Sequence, residues 1–397
     1  MKDRLLHIPE GVKDIYDIEC EKKNYVEKQM RNVLNLHGFR DIQTPMFEFF
    51  DIFSEERGTV PSKQMYKFFD REGNTLVLRP DITPSLARCV AKYYKNEEMP
   101  IRLSYAGETF INNSRYQGKL KQNTQVGAEL YNESGADADA EMIAISIECL
   151  LKAGLTEFQI DLGNAAFFNG LMEVAGFNED EIDELRELIE EKNIFGATQL
   201  MENKDIDEEV KEIITKLPEL FGNHEIIDYA RTKTTSEKAI SALDRIDAVY
   251  ERLKEYGYDN YISFDLGMVN QYDYYTGVIF RAYTYGTGEV VATGGRYDKL
   301  LSQFGKNSPA IGLVVMLDQV MIALNRQKIK VNTCDTRVMI VFDRKYSAKA
   351  IALAGQLRLE GKPVEMIRKS SKFELEDYKE LANRSRINEF IYINDEN

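Results

Sequence analysis

A chain of 397 residues, 43% hydrophobic and 29% charged, is too long for one ordinary core and too apolar for wholesale disorder, so two or three packed domains are expected. Its 51 Lys and Arg against 66 Asp and Glu leave a net charge of -15, which repels a polyanion unless basic residues are locally concentrated and so counts against general nucleic-acid binding. Cys20, Cys89, Cys149 and Cys334 and the three histidines are too scattered for a zinc site or a disulfide framework. Neither a signal peptide nor a run of about 18 apolar residues occurs, so a cytoplasmic protein without a membrane span is expected.

In chain order, apolar residues at helical spacing (Tyr25, Val26, Met30, Val33, Leu34) predict a helix over Glu21–Leu36, with Gly38 as a left-handed cap. Extended segments follow at Arg40–Thr44, Met65–Phe69, Thr75–Leu78, Ile101–Ala106 and Thr124–Leu130, with helices at Ser85–Tyr94 and Ala140–Ala153. Few regularly alternating helices interrupt these strands, so a mainly antiparallel sheet carrying helices is expected, an α+β fold. Between about 166 and 258 acidic amphipathic helices dominate, as at Asn178–Lys192, and read as a helical insertion. Strands resume at Tyr261–Leu266 and Gly277–Thr284, the latter turning through Gly286, Thr287 and Gly288 into a hairpin strand, Glu289–Thr293. A polar segment after Asn325 leads to Thr336–Phe342 (strand), Ser347–Leu359 (helix), Pro363–Ile367 (strand), Glu374–Asn383 (helix) and Glu389–Ile393 (strand). The expected division is a core over 1–325 and a small C-terminal α/β domain over 335–397.

Within Thr124–Leu130, Gln125, Gly127 and Glu129 share one face of the strand by their period of two. By the same parity Arg79, Asp81 and Thr83 project together if LRPDIT stays extended, as Pro80 and Pro84 favour. NQYDYYTG (270–277) offers three tyrosines around Asp273, and TGGRYDKL (293–300) pairs two glycines with Arg296, Tyr297 and Asp298. Singly, each is equally at home on a solvated sheet face or in packing. The double glycine is more particular, because two residues without a β-carbon let backbone approach a ligand or another strand closely.

In combination these segments resemble the class II histidyl-tRNA synthetases over roughly residues 5 to 325. PEGVKD is similar to that family's N-terminal signature, GFRDIQTPMFE to the motif 1 that builds its dimer interface, and MYKFFDREGNTLVLRPDITP to its first histidine-binding segment. YAGETF to QVGAEL resembles motif 2, NQYDYYTG and GGRYDKL the two histidine-specific segments, and AIGLVVMLDQVM motif 3. The resemblance implies a six- or seven-stranded antiparallel sheet with flanking helices, usually dimeric. It also implies a histidine pocket built from Asp81, Thr83, Gln125, Glu129, Tyr274, Tyr275 and Tyr297. The chemistry agrees: Asp81, Thr83 and Gln125 suit an α-ammonium, while Glu129 and a tyrosine hydroxyl suit the two imidazole nitrogens. Aspartate stands where the family carries glutamate, so the reach from position 81 is one methylene shorter.

The departures from the synthetases carry as much information. Phe110 is followed by Ile111, Asn112 and Asn113 where motif 2 has an arginine on the α-phosphate of ATP. Asn270 replaces the arginine of the histidine-specific loop, and Gln319 replaces that of motif 3. Adenylation rests on positioning and charge neutralisation. Three lost charged contacts amount to on the order of 4 to 9 kcal/mol, about three to six powers of ten in rate. Arg115, Lys119 and Lys121 lie nearby but out of register, and read as solvated loop cations. The C-terminal unit of about 62 residues is shorter than a synthetase anticodon domain and holds 12 Lys and Arg against 11 Asp and Glu from Asp335 onward, so tRNA is not expected as a partner.

A synthetase-like core with a kept histidine pocket, lost ATP arginines and a short tail resembles the regulatory-subunit family of ATP phosphoribosyltransferase. That resemblance implies no catalysis and no cofactor of its own. It implies assembly with a short-form catalytic subunit as a hetero-octamer built on dimers of this chain, and a requirement both for the first step of histidine biosynthesis and for feedback inhibition by L-histidine. Two alternatives stay open: a working or degenerate histidyl-tRNA synthetase using substitute cations, and a stand-alone histidine-binding module.

Overall fold

The structure is a computed structural model and describes residues 6–53, 60–113, 119–201, 204, 206–268, 274–331, 333 and 336–395. It divides into two compact units, Met1–Val331 and Asn332–Asn397.

The first unit opens with α1 (Asp17–Leu36), which ends where Gly38 takes φ +79°. There follow β1 (Arg40–Asp41), β2 (Phe47–Phe49), β3 (Lys67–Phe69), β4 (Thr75–Leu78), α2 (Thr83–Tyr93), β5 (Ile101–Phe110), β6 (Gln122–Tyr131), α3 (Ala136–Ala153) and β7 (Gln159–Asn164). The insertion supplies α4 (Ala165–Ala175), α5 (Glu179–Glu190), α6 (Ile194–Met201), α7 (Glu208–Lys216), β8 (Phe221–Gly222), α8 (Glu225–Thr232) and α9 (Glu237–Tyr256). The sheet is then completed by β9 (Ile262–Asp265), β10 (Val278–Tyr283), β11 (Ala292–Arg296) and β12 (Ala310–Met316), followed by α10 (Leu317–Arg326).

Nine strands form the main sheet in the order β1-β5-β6-β12-β11-β10-β7-β9-β8, all neighbours antiparallel except β1 with β5 and β7 with β9. The expected six or seven strands are exceeded because two-residue strands close both edges, and one of these, β8, comes from inside the insertion. Alternation sorts the side chains. Val126, Ala128, Leu130, Leu162, Phe280 and Val315 face a core shared with α1 and α3. Phe167 and Leu171 of α4 and Leu243 and Ile246 of α9 belong to the same core, so the insertion is packed into the sheet's helical layer. Each such fully buried apolar side chain contributes roughly 1.5–3 kcal/mol. The opposite face, carrying Gln125, Gly127 and Glu129, is left for the site.

Three local expectations change. The segment 79–83 does not stay extended: Ile82 is already in the α region and α2 starts at Thr83 with Pro84 in its first turn, where a missing N–H costs nothing. The strand after the hairpin is β11, three residues later than expected, because its register is set by β12 (Ala292 opposite Val315) and not by the turn. β5 and β6 outrun their expected lengths because they pair along ten residues each, from Ile101 opposite Tyr131 to Phe110 opposite Gln122. A separate small antiparallel sheet, β2-β4-β3, holds Phe53, Val60, Met65 and Val77 in a cluster of its own.

The second unit is β13 (Val338–Phe342), α11 (Ser347–Leu359), β14 (Val364–Arg368), α12 (Leu375–Arg384) and β15 (Glu389–Ile393), a parallel sheet in the order β14-β13-β15. All five β13 residues are buried because Val338, Ile340 and Phe342 meet α11 while Met339 and Val341 meet α12.

Candidate functional site

The open face of the main sheet contains a small cavity. Asp81, Thr83, Gln125, Glu129, Tyr274, Tyr275 and Tyr297, seven residues spread over more than two hundred positions, all line it. Gln125 and Glu129 come from β6, Asp81 and Thr83 from the start of α2, Tyr297 from the residue after β11, and Tyr274 and Tyr275 from the approach to β10. Asn270, with Tyr272 and Asp273, lies outside the described residues, as does Arg115.

Glu129 is the buried centre, 1% exposed. Its Oε1 accepts from the Thr83 hydroxyl at 2.7 Å and its Oε2 from the Tyr297 hydroxyl at 2.5 Å. Burial pushes its carboxyl up to about 8, against the pull of the Tyr297 and Thr83 hydrogen bonds and with a further push from the charge of Asp81. Asp81 is raised by burial as well, even though it accepts from the Thr83 backbone N–H and from the Tyr274 hydroxyl, each at 3.2 Å. No lysine or arginine is among the described lining residues, so two carboxyls share the cavity without a cation. Gln125 completes the polar wall. Its Nε2 reaches the Met316 sulfur at 3.9 Å, while its buried Oε1 has no hydrogen-bond partner among the described residues. An orphaned acceptor beside two carboxyls suits a ligand rich in N–H donors and positive charge.

The glycines near the cavity make room for side chains of this chain. A β-carbon on Gly312 would sit 1.9 Å from Glu129 Oε2, so only glycine opposite Glu129 lets that carboxyl occupy its place. At the double glycine, a β-carbon on Gly294 would strike the Phe280 ring and one on Gly295 the Tyr275 ring. The close approach expected there serves packing on both faces of the strand.

Arg79 leaves the group it shares by parity. Its guanidinium turns back to donate to the carbonyls of Glu108 at 2.7 Å and Thr44 at 3.0 Å, because the chain bends into α2 before Thr83. Tyr105 and Met316 enter the cavity unpredicted. The alternation of β5 could have marked Tyr105, but only the register placing it opposite Gly127 brings it in. Ile111, expected to stand where motif 2 carries its arginine, packs against the apolar cluster of Phe53, Val60, Met65 and Val77. Gln319 is half-buried on α10. Of the loop cations, Lys119 pairs with Glu289 at 3.2 Å and Lys121 lies across Gly11. Among the described residues no group of three or more potential metal ligands occurs, and no helix is long and apolar enough to cross a membrane.

Comparison with known proteins places these features. The family model for histidyl-tRNA synthetase matches residues 11–320. The ATP phosphoribosyltransferase regulatory subunit of Acetivibrio thermocellus is 39% identical over 92% of this chain and 88% of its own length. The crystal structure of an ATP phosphoribosyltransferase regulatory subunit/histidyl-tRNA synthetase from Bacillus halodurans superposes with a TM-score of 0.86 at 33% identity, covering 98% of this chain and 99% of that one. Histidyl-tRNA synthetase from Nostoc shares the fold, with a TM-score of 0.77 at 20% identity over 96% of this chain and 90% of its own. By its likeness to these relatives over most of its length, the chain belongs to the ATP phosphoribosyltransferase regulatory subunits, paralogues within the histidyl-tRNA synthetase family.

Proposed function

We propose that this chain has no catalysis of its own, that it binds L-histidine in the cavity around Glu129, and that it passes that occupancy to a short-form catalytic subunit of ATP phosphoribosyltransferase. The observation that carries the reading is the pocket with two raised carboxyls, an orphaned Gln125 oxygen and no cation among its described lining residues. An α-ammonium beside Asp81 and Gln125 and an imidazole N–H on Glu129 supply what this cavity lacks. Ile111, seated in an apolar cluster, supports the absence of adenylation, because its side chain offers no charge to a phosphate.

The exposed Phe47, Phe49 and Phe69 of the small sheet support self-association, as a dimer on which the mixed octamer is built. A near-neutral second unit supports a partner other than tRNA, and a cytoplasmic setting belongs to the same reading. Feedback requires that histidine favour one packing of the complex over another, typically by about 1 to 3 kcal/mol.

Calorimetric titration with histidine, phosphoribosyl transfer by the chain mixed with a short-form catalytic subunit, and histidine-dependent exchange of pyrophosphate into ATP test this together. Saturable histidine uptake, transferase activity reversed by histidine and no exchange are expected. Exchange by the purified chain would establish the synthetase alternative, and histidine uptake without any effect on transfer would establish a stand-alone binding module.

A further inference from the structure

Outside the pocket, the most completely buried ionic cluster is built around Asp139, near the start of α3 and 0% exposed. Its Oδ1 accepts from Arg296 Nε at 2.9 Å and Nη2 at 2.5 Å, and its Oδ2 accepts from Arg245 Nε at 2.7 Å. Arg245 belongs to the insertion helix α9, whereas Arg296 ends β11. Both guanidiniums then donate to one short piece of backbone. Arg296 Nη1 reaches the Glu133 carbonyl at 2.8 Å and Arg245 Nη2 the Ser134 carbonyl at 2.6 Å.

That backbone is the exit of β6, the strand that carries Glu129, and Arg296 directly precedes Tyr297. Adjacent strand residues point to opposite faces, so Arg296 looks into the helical layer while Tyr297 looks into the cavity. The cluster therefore fixes, from behind the sheet, both ends of the 2.5 Å hydrogen bond from Tyr297 to Glu129.

We propose that Arg245 is a positioning residue for the histidine pocket, by which the insertion, through Asp139 and Arg296, sets Tyr297 against Glu129. This rests on the histidine reading above. Arg245 touches no lining residue of the cavity; it acts on the strands that carry them. Arg296 remains to pair with Asp139 when Arg245 is removed, so the buried carboxylate keeps a partner.

The consequence has a signature in pH. The titratable groups around Glu129 are Asp81, Tyr105, Tyr131 and Tyr297, and the Tyr297 hydrogen bond lowers the Glu129 carboxyl. Histidine needs the carboxylate form, so its affinity rises with pH until Glu129 ionises. Loosening Tyr297 moves that midpoint upward. The ligand's own ionisations are common to every variant and cancel in the comparison.

Histidine titrations of the full-length wild type, Arg245→Gln, Arg245→Lys and Arg252→Gln from roughly pH 6 to pH 9 decide the matter. Arg245→Gln is expected to bind about fivefold or more weakly, with a raised midpoint. Arg245→Lys is expected to restore part of both changes. Arg252→Gln, on one helix with Arg245 and losing exposed pairs to Asp137 of α3 and Glu255 of α9, is expected to match wild type. Unchanged affinity and midpoint in Arg245→Gln, or an equal change in Arg252→Gln, overturns the assignment. Should Arg245→Gln not fold, a wild-type midpoint in Arg245→Lys overturns it instead. A wild type that takes up no histidine at any pH overturns the reading beneath it and not the geometry of the cluster.

Discussion

Replacing Glu129 with glutamine separates what the pocket costs the fold from what it does for binding. In the folded protein the Glu129 carboxyl titrates near 8, whereas in the unfolded chain it titrates at its ordinary 4.5. Below the lower value both states are protonated and the full stability is present. Between the two, the folded protein holds a proton that the unfolded chain has released, so stability falls as pH rises through the window. A gap of about 3.5 units at about 1.4 kcal/mol each amounts to roughly 5 kcal/mol, lost by the time pH passes the folded value. Glu129→Gln carries no such term, so its stability relative to wild type should climb between about pH 5 and pH 8.5, visible as several degrees in Tm. Thermal unfolding of both proteins across that range, without histidine, measures the difference. Histidine binding by Glu129→Gln should meanwhile fall about tenfold or more, from loss of a charge-assisted hydrogen bond. A stability difference that stays flat with pH would refute the premise that burial holds this carboxyl in its protonated form.

Other perturbations test neighbouring claims. Gly312→Ala places a methyl 1.9 Å from Glu129 Oε2; a loss of about 1–3 kcal/mol in denaturant unfolding is expected, together with weaker histidine binding by calorimetry. Ile111→Arg drives a cation into the cluster of Phe53, Val60, Met65 and Val77. It should destabilise by about 1–3 kcal/mol in the same assay and yield no exchange of pyrophosphate into ATP. Phe49→Lys with Phe69→Lys, at side chains 55% and 72% exposed, should shift sedimentation toward monomer while leaving the secondary structure seen by circular dichroism intact.

Much of the fold was legible where periodicity is local. The apolar spacing of α1, the four residues of β4, α11 from Ser347 to Leu359 and β15 from Glu389 to Ile393 were readable within a residue or a few, because each obeys a helical or strand repeat over its own length. α3 begins four residues earlier than its apolar face suggests, because Asp137 and Asp139 suit the first turn of a helix but add nothing to the apolar count. The start of α2 is ambiguous in the sequence for a related reason: Pro84 reads as a breaker from outside a helix and as a good opening residue from inside one.

By itself the sequence determined the chemistry available: an acidic chain with a carboxyl-rich, tyrosine-rich set of motifs. Only the tertiary structure decided which of those groups meet. Register across β5, β6 and β12 brought Tyr105 in and demanded glycine at 312, the turn into α2 took Arg79 away, and packing of α9 against α3 tied the insertion to the strands beneath the pocket. Side-chain identity and short-range period are written along the chain. Register and the burial that lifts a carboxyl to about 8 arise between segments far apart in it, and so appear only once the strands are paired.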